Sequence, residues 1–208
     1  MDNKDFEIST SSTGKYAADN HSKKEVGLLI YLHDVVFLLA GLLLAFLLCF
    51  RVVVVFGPSM DNTLCHGDYL LLLGSVFYQE PQYGDIIVAS KDSFDSGEPI
   101  IKRVIATAGQ TVDIDFHQGV VYVDGVALDE PYTNTLTNLS EGMTFPLTVD
   151  EGCVFVMGDN RNESKDSRSP EIGLIDHREI LGKAIFLLFP GSDADSERRE
   201  FSRIGVLS

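Results

Sequence analysis

Sixteen consecutive residues without a charge, VVFLLAGLLLAFLLCF from Val35 to Phe50, constrain this chain more than any other feature. As a helix rising 1.5 Å per residue, the run covers about 24 Å, short of the ~30 Å hydrocarbon core of a bilayer. Extension back across His33 and Asp34 to Val26, or forward past Arg51, makes up the difference. Asp34 then lies near the head groups and Arg51 snorkels at the other end. No amphipathic stripe marks the run as the core helix of a soluble domain. It ends in CFRVVVVF rather than in the small residues of a cleavage site, so it reads as a retained anchor. The expectation is a disordered polar tail over 1–25, a membrane anchor over 26–51 and one compact domain over 52–208. Lys15, Lys23 and Lys24 before the span, against Arg51 alone after it, put the N-terminus in the cytoplasm and the large domain outside.

Past the span, short apolar runs alternate with glycine punctuation. DYLLLLGSVF, GDIIVAS, IIKRVIATAG, TVDIDFHQGVVYVDG, CVFVMGDN and KAIFLLFP all read as strands, and only the stretch near Leu174–Ile180 looks briefly helical. The fold class expected is mostly β: one transmembrane helix, then a compact domain of several small antiparallel sheets. Tyr132–Pro146 is long and polar and reads as a mobile loop. The chain carries a net charge of −15, and about 14 of those negative charges fall after Gly57. Such a field repels phosphate backbones, so nucleic acid is not an expected partner. Cys49, Cys65 and Cys153 form no CxxC or Cys/His cluster, read as free thiols and suggest no metal site.

The turn GPSM, with Ser59, directly follows the valines beyond the anchor. A serine attacks only when a base takes its proton. Of the five histidines, His21 and His33 fall before or within the span, and His66, His117 and His177 sit in no recognisable catalytic context. GPSM also departs from the G-x-S-x-G nucleophile elbow. The alternative base is a lysine, ordinarily protonated near pH 7, whose pKa burial can lower by ~3–5 units. Lys102 in EPIIKRVIATAG is the candidate: alternation puts Ile100, Lys102 and Val104 on one face and Ile101, Arg103 and Ile105 on the other. A third stretch, VFVMGDNRNESKDSRSPEIG, turns tightly at Gly158–Arg161 and then packs polar groups that need partners if buried.

GPSM, IIKRV and GDNR-x-x-S-x-DSR, in that order behind an anchor, resemble bacterial type I signal peptidase. The likeness runs from the anchor to the closing FP and the tail FSRIGVLS. The resemblance implies a Ser/Lys dyad with Ser59 as nucleophile and Lys102 as general base, and no cofactor or metal. It implies that Ser164 hydrogen-bonds and orients the lysine, while Asp166, Arg168 and Arg103 brace the site. Val55, Met60, Leu64, Ile100 and Ile101 match positions near a shallow pocket for a small P1 side chain. The implied activity is removal of N-terminal signal peptides from secretory precursors at A-x-A sites, by a monomer held in the lipid of the plasma membrane.

One departure concerns the oxyanion. Some members carry a serine two residues before the nucleophile, where this chain has Gly57, which leaves the Ser59 N–H as the expected donor. Two alternatives stay open on the residues alone: a non-catalytic relative that binds signal peptides, and a peptidase dedicated to one specialised substrate. A self-cleaving Ser/Lys regulator shares the β fold but carries a soluble partner domain in place of an anchor.

Overall fold

The computed structural model describes residues 12–92, 94, 97–192 and 199–207, with backbone only for 12–26. The chain forms two compact units, one through Leu47 and one from Leu48 to Ser208. The first is the helix α1 (Ser12–Cys49), in which Gly27–Cys49 is apolar and, at 23 residues, long enough to cross a membrane. The disordered tail expected over 1–25 is therefore helical from Ser12 onward, and residues 1–11 lie outside the described residues. Adding a residue to an existing helix costs far less than starting one, so the apolar segment propagates back through helix formers such as Ala17, Ala18 and Lys23. The anchor expected to reach residue 51 stops at Cys49. Strand β1 (Phe50–Val54) starts immediately afterwards, because its β-branched valines pair with the next strand.

The second unit is mostly β and wholly antiparallel among the described pairings, as expected for the fold class. Its strands after β1 are β2 (Tyr69–Gly74), β3 (Ile86–Ser90), β4 (Pro99–Thr107), β5 (Thr111–Asp115), β6 (Val120–Val123) and β7 (Val126–Ala127). They are followed by β8 (Leu147–Thr148), β9 (Cys153–Met157), β10 (Ile175–Asp176), β11 (Ile180–Phe189) and β12 (Gly205–Val206). An eight-stranded sheet runs β1-β2-β11-β3-β4-β9-β10, with β12 on β11, and a four-stranded sheet runs β7-β6-β5-β8. The helical hint near Leu174–Ile180 is a single 3-10 turn, His177–Glu179, capped by Asp176.

The middle of the large sheet is buried on both faces. Along β3, Ile86 and Val88 join one cluster with Val55, Met60, Leu64, Leu70 and Leu72, while Ile87 and Ala89 join another with Val104, Val154 and Val156. β9 alternates likewise, since Phe155 and Met157 pack under the small sheet with Val112 and Val121. In β4 the pairing with β9 shifts between Val104 and Ala106. Such a bulge places neighbouring residues on one side, and Ile105 and Ala106 indeed share the cluster beneath the small sheet. β4 is thus closed off from water on both faces from Lys102 to Ala106.

Asp68 closes the loop that follows Ser59. Its buried carboxylate accepts from the Cys65 and Gly191 backbone N–H groups and from the Arg203 guanidinium, which also donates to Thr63 O. Replacing Asp68 with Ala removes the shared acceptor from all three donors. We expect a loss of about 2–4 kcal/mol in denaturant unfolding of the full chain in detergent. A loss below about 1 kcal/mol would show that water replaces the carboxylate without cost.

Candidate active site

Ser59 stands in a tight turn whose flanks are pinned from both sides. Val55 exchanges backbone hydrogen bonds with Gly67 and Asp68, and Leu64 N donates to Met60 O. Met60 and Leu64 then bury their side chains in the cluster that holds Val55 and Ile86. From the other side, Asn160 N donates to Ser59 O at 3.1 Å and Asn160 Nδ2 donates to Pro58 O at 3.1 Å. The turn is rigid from packing below and hydrogen bonding above, while Ser59 itself stays partly exposed.

Lys102 reaches this turn from β4. Its Nζ lies 2.8 Å from Ser59 Oγ and 3.0 Å from Ile101 O, and the residue is 5% exposed. Burial lowers the amine's pKa from 10.5 to about 8, against the opposing pull of Asp166, Glu141 and Asp159; Arg168 adds to the lowering. A protonated amine donates to Oγ; a neutral one accepts the hydroxyl proton across the same 2.8 Å. The arrangement can therefore hold a proton at Nζ or return it to Oγ.

Around this pair sit three buried arginines, each on its own carboxylate. Arg103 donates from Nε and NH2 to the two oxygens of Asp159 at 2.9 and 2.8 Å, donates to Gly84 O, and lies 4.1 Å from the ring centre of Tyr132. Asp159 also accepts from the Thr63 hydroxyl, which ties it to the loop behind Ser59. Arg161 forks onto Glu130 at 2.7 and 2.6 Å. Arg168 forks onto Asp166 at 2.8 and 2.8 Å and caps the carbonyls of Arg161 and Ser164.

Gly158 makes the approach possible. A Cβ there would collide with the Ser164 side chain and the Ser59 carbonyl, so only glycine lets the GDNR turn lie against the serine loop.

Of the residues singled out by sequence, Ser59 and Lys102 meet at 2.8 Å, and Arg103, Asp166 and Arg168 are buried in the surrounding ion pairs. Ser164 is buried beside them, but its hydroxyl donates to Asp166 Oδ2 at 2.9 Å and not to Lys102. A carboxylate that also accepts from Gly158 N and Arg168 is the stronger acceptor for it. Val55, Met60 and Leu64 share one cluster with Ile101 packed against it, whereas Ile100 packs with the cluster around Ile87 and Val104. Asn160, Asp159, Thr63, Glu130 and Glu141 were not singled out. Only the GDNR turn carried any signal for them, and a turn motif does not name the carbonyl it will bind. The loop expected to be mobile, Tyr132–Pro146, is tied to this shell through Thr137, which accepts from Arg161, and through Leu139 and Met143, which bond Arg168.

The family model described as "Signal peptidase, peptidase S26" matches residues 28–189. A probable signal peptidase I-1 of Synechocystis sp. is 39% identical over 165 residues, which is 74% of this chain and 81% of that protein. Signal peptidase I of Bacillus licheniformis is 37% identical over 160 residues, with 73% and 82% covered. Signal peptidase I T of Bacillus subtilis is 36% identical over 161 residues, with 74% and 80% covered. The chain belongs to the signal peptidase family and is a serine peptidase. Its apolar N-terminal helix is compatible with membrane anchoring.

Burying Lys102 costs stability with a definite pH dependence. The folded-state pKa of about 8 lies below the unfolded value, so the unfolded chain binds the extra proton between roughly pH 8 and 10. The penalty is full below pH 8 and fades as pH rises toward 10. A Lys102→Met variant should therefore be more stable than wild type at pH 7 by about 1–3 kcal/mol, net of two lost hydrogen bonds. The gap should narrow by about pH 10 in thermal melts of both proteins. A gap that is flat with pH would mean that Lys102 stays charged in the folded state.

Proposed function

We propose that this protein removes N-terminal signal peptides from secretory precursors, with Ser59 as nucleophile and Lys102 as general base. The observation that carries this reading is the 2.8 Å approach of a buried lysine amine to the Ser59 hydroxyl. Ser59 Oγ attacks the scissile carbonyl carbon while its proton passes to the neutral Lys102 Nζ. As the tetrahedral intermediate collapses, the C–N bond breaks and Nζ–H protonates the departing amine, the new N-terminus of the mature chain. Water then attacks the acyl-Ser59 ester, again giving its proton to Nζ. That proton returns to Oγ as the ester bond breaks and frees the signal peptide.

Among the described residues the Ser59 N–H donates to no other group, which leaves it available to the oxyanion; Gly57 N is engaged with His66 Nδ1 at 3.2 Å. Asp166 holds the Ser164 hydroxyl and Gly158, and so positions the turn behind the dyad. Val55, Met60, Leu64 and Ile101 supply bulky apolar walls that favour a methyl-sized P1 residue, hence A-x-A sites. Precursors added as an extra strand beside the site would carry that side chain inward. The apolar helix, oriented with its N-terminus in the cytoplasm, would hold the peptidase unit at the outer membrane surface as a monomer. Its substrate sits in the same thin layer, which raises the effective concentration of the two.

Incubation of the membrane-embedded protein with an A-x-A precursor should give cleavage by wild type. Ser59→Ala and Lys102→Ala should each lose at least about 10³-fold in kcat/KM. The wild-type kcat/KM should rise with pH along an acid limb centred near 8, because only the neutral amine accepts the proton. Full activity in Lys102→Ala, or a limb in the histidine range, would assign the base elsewhere.

A further inference from the structure

The turn that carries Ser59 has few backbone donors to offer a substrate. Pro58 has no N–H, and the Gly57 N–H is taken by His66 Nδ1 at 3.2 Å. Of Gly57, Pro58 and Ser59, only Ser59 keeps an N–H that bonds no other group among the described residues. A lone donor must be well aimed, because a hydrogen bond weakens steeply as it bends.

That aim is set from the far side of the same peptide plane. The Pro58–Ser59 peptide is trans and flat, so its C=O and N–H point in opposite directions. Whatever holds the Pro58 oxygen therefore directs the Ser59 N–H. Pro58 O accepts from Asp61 N at 3.0 Å and from Asn160 Nδ2 at 3.1 Å, one donor for each lone pair. Asp61 belongs to the turn and moves with it, whereas Asn160 lies 102 residues from Pro58 in the chain. Its backbone N also donates to Ser59 O at 3.1 Å, so Asn160 grips two consecutive carbonyls of the turn. Asn160 is itself firmly held. It is 8% exposed, and Glu163 N donates to its carbonyl. Asp159 before it is forked by Arg103, and Arg161 after it is forked onto Glu130. We propose that Asn160 is a positioning residue for the Ser59/Lys102 reaction: its side-chain amide aims the Ser59 N–H at the oxyanion of the tetrahedral intermediate.

The inference rests on Ser59 being the nucleophile, and the two readings fail separately. The test uses the full chain in detergent and two synthetic signal-peptide fragments ending in alanine, one as the aldehyde and one as the alcohol. Ser59 Oγ adds to the aldehyde carbon, its proton passes to Lys102 Nζ, and the former carbonyl oxygen stands where the oxyanion forms. The alcohol binds without that bond. Asn160→Ala and Asn160→Leu both remove the Nδ2 donor and keep the backbone N–H. Each should lower kcat on an A-x-A precursor by about 10- to 100-fold, with KM changed less than about threefold. Each should weaken aldehyde binding by a similar factor and leave the alcohol unaffected. The aldehyde-to-alcohol ratio is read on folded protein, so a lower melting temperature does not imitate the effect. The acid limb near 8 should stay in place, because no charge is added or removed. A wild-type aldehyde-to-alcohol ratio in both variants would overturn the role of Asn160, whatever happens to the rate. A displaced limb would overturn it too, since Asn160 would then act on Lys102. A Ser59→Ala variant that keeps the full preference for the aldehyde would instead sink the Ser59 reading on which this one stands.

Discussion

A primary amine can take a proton near neutral pH only if water is kept away from its charged form, and the fold meets this requirement at Lys102 by burying β4 on both faces. That burial depends on the rest of the large sheet. β3 and β9 flank β4, each alternates between two apolar clusters, and the bulge after Val104 turns Ile105 and Ala106 together under the small sheet. The four-stranded sheet holds none of the residues of the proposed dyad. Its contribution is the apolar cover that keeps one side of β4 dry.

Burying one lysine next to the Ser59 hydroxyl calls for a rigid support that does not restore its charge. The protein builds that support from Arg103, Arg161 and Arg168, all at 2% exposure or less and each forked onto a carboxylate. Buried ion pairs seldom add much stability over apolar packing. Here they fix directions: each guanidinium also caps backbone carbonyls, of Gly84, Gly158, Arg161 or Ser164, so that turns without regular structure hold their shape. The Ser59 turn meets the GDNR turn through the Asn160 hydrogen bonds to Ser59 O and Pro58 O, and the 138–143 segment joins them through Arg168.

Much of this was legible in the chain. The strands of the large sheet announced themselves as short apolar runs between glycines, and the alternate clustering of β3 and β9 is what two-fold periodicity requires. The boundaries were less legible. Helical backbone continues back to Ser12 through polar residues, and pairing with β2 draws Phe50 and Arg51 into β1, both by cooperative effects that no single residue encodes. Ser164 hydrogen-bonds to Asp166 rather than to the lysine that the resemblance implied. A hydroxyl chooses between an amine and a carboxylate by local geometry, and the Asp166 side chain, aimed by Arg168, lies within 2.9 Å.

The sequence by itself set out the ingredients: a serine with no recognisable histidine partner, a lysine among apolar strand residues, and an apolar segment long enough for a bilayer. These are properties of residue type and short-range spacing, which a linear pattern carries in full. Only the tertiary structure decided which charges the lysine feels. Asp166, Glu141 and Asp159 lie 64, 39 and 57 residues beyond Lys102 in the chain. Their effect depends on distance and on which guanidinium already neutralises them, and those relations exist only once β4, the GDNR turn and the 138–143 segment have packed together.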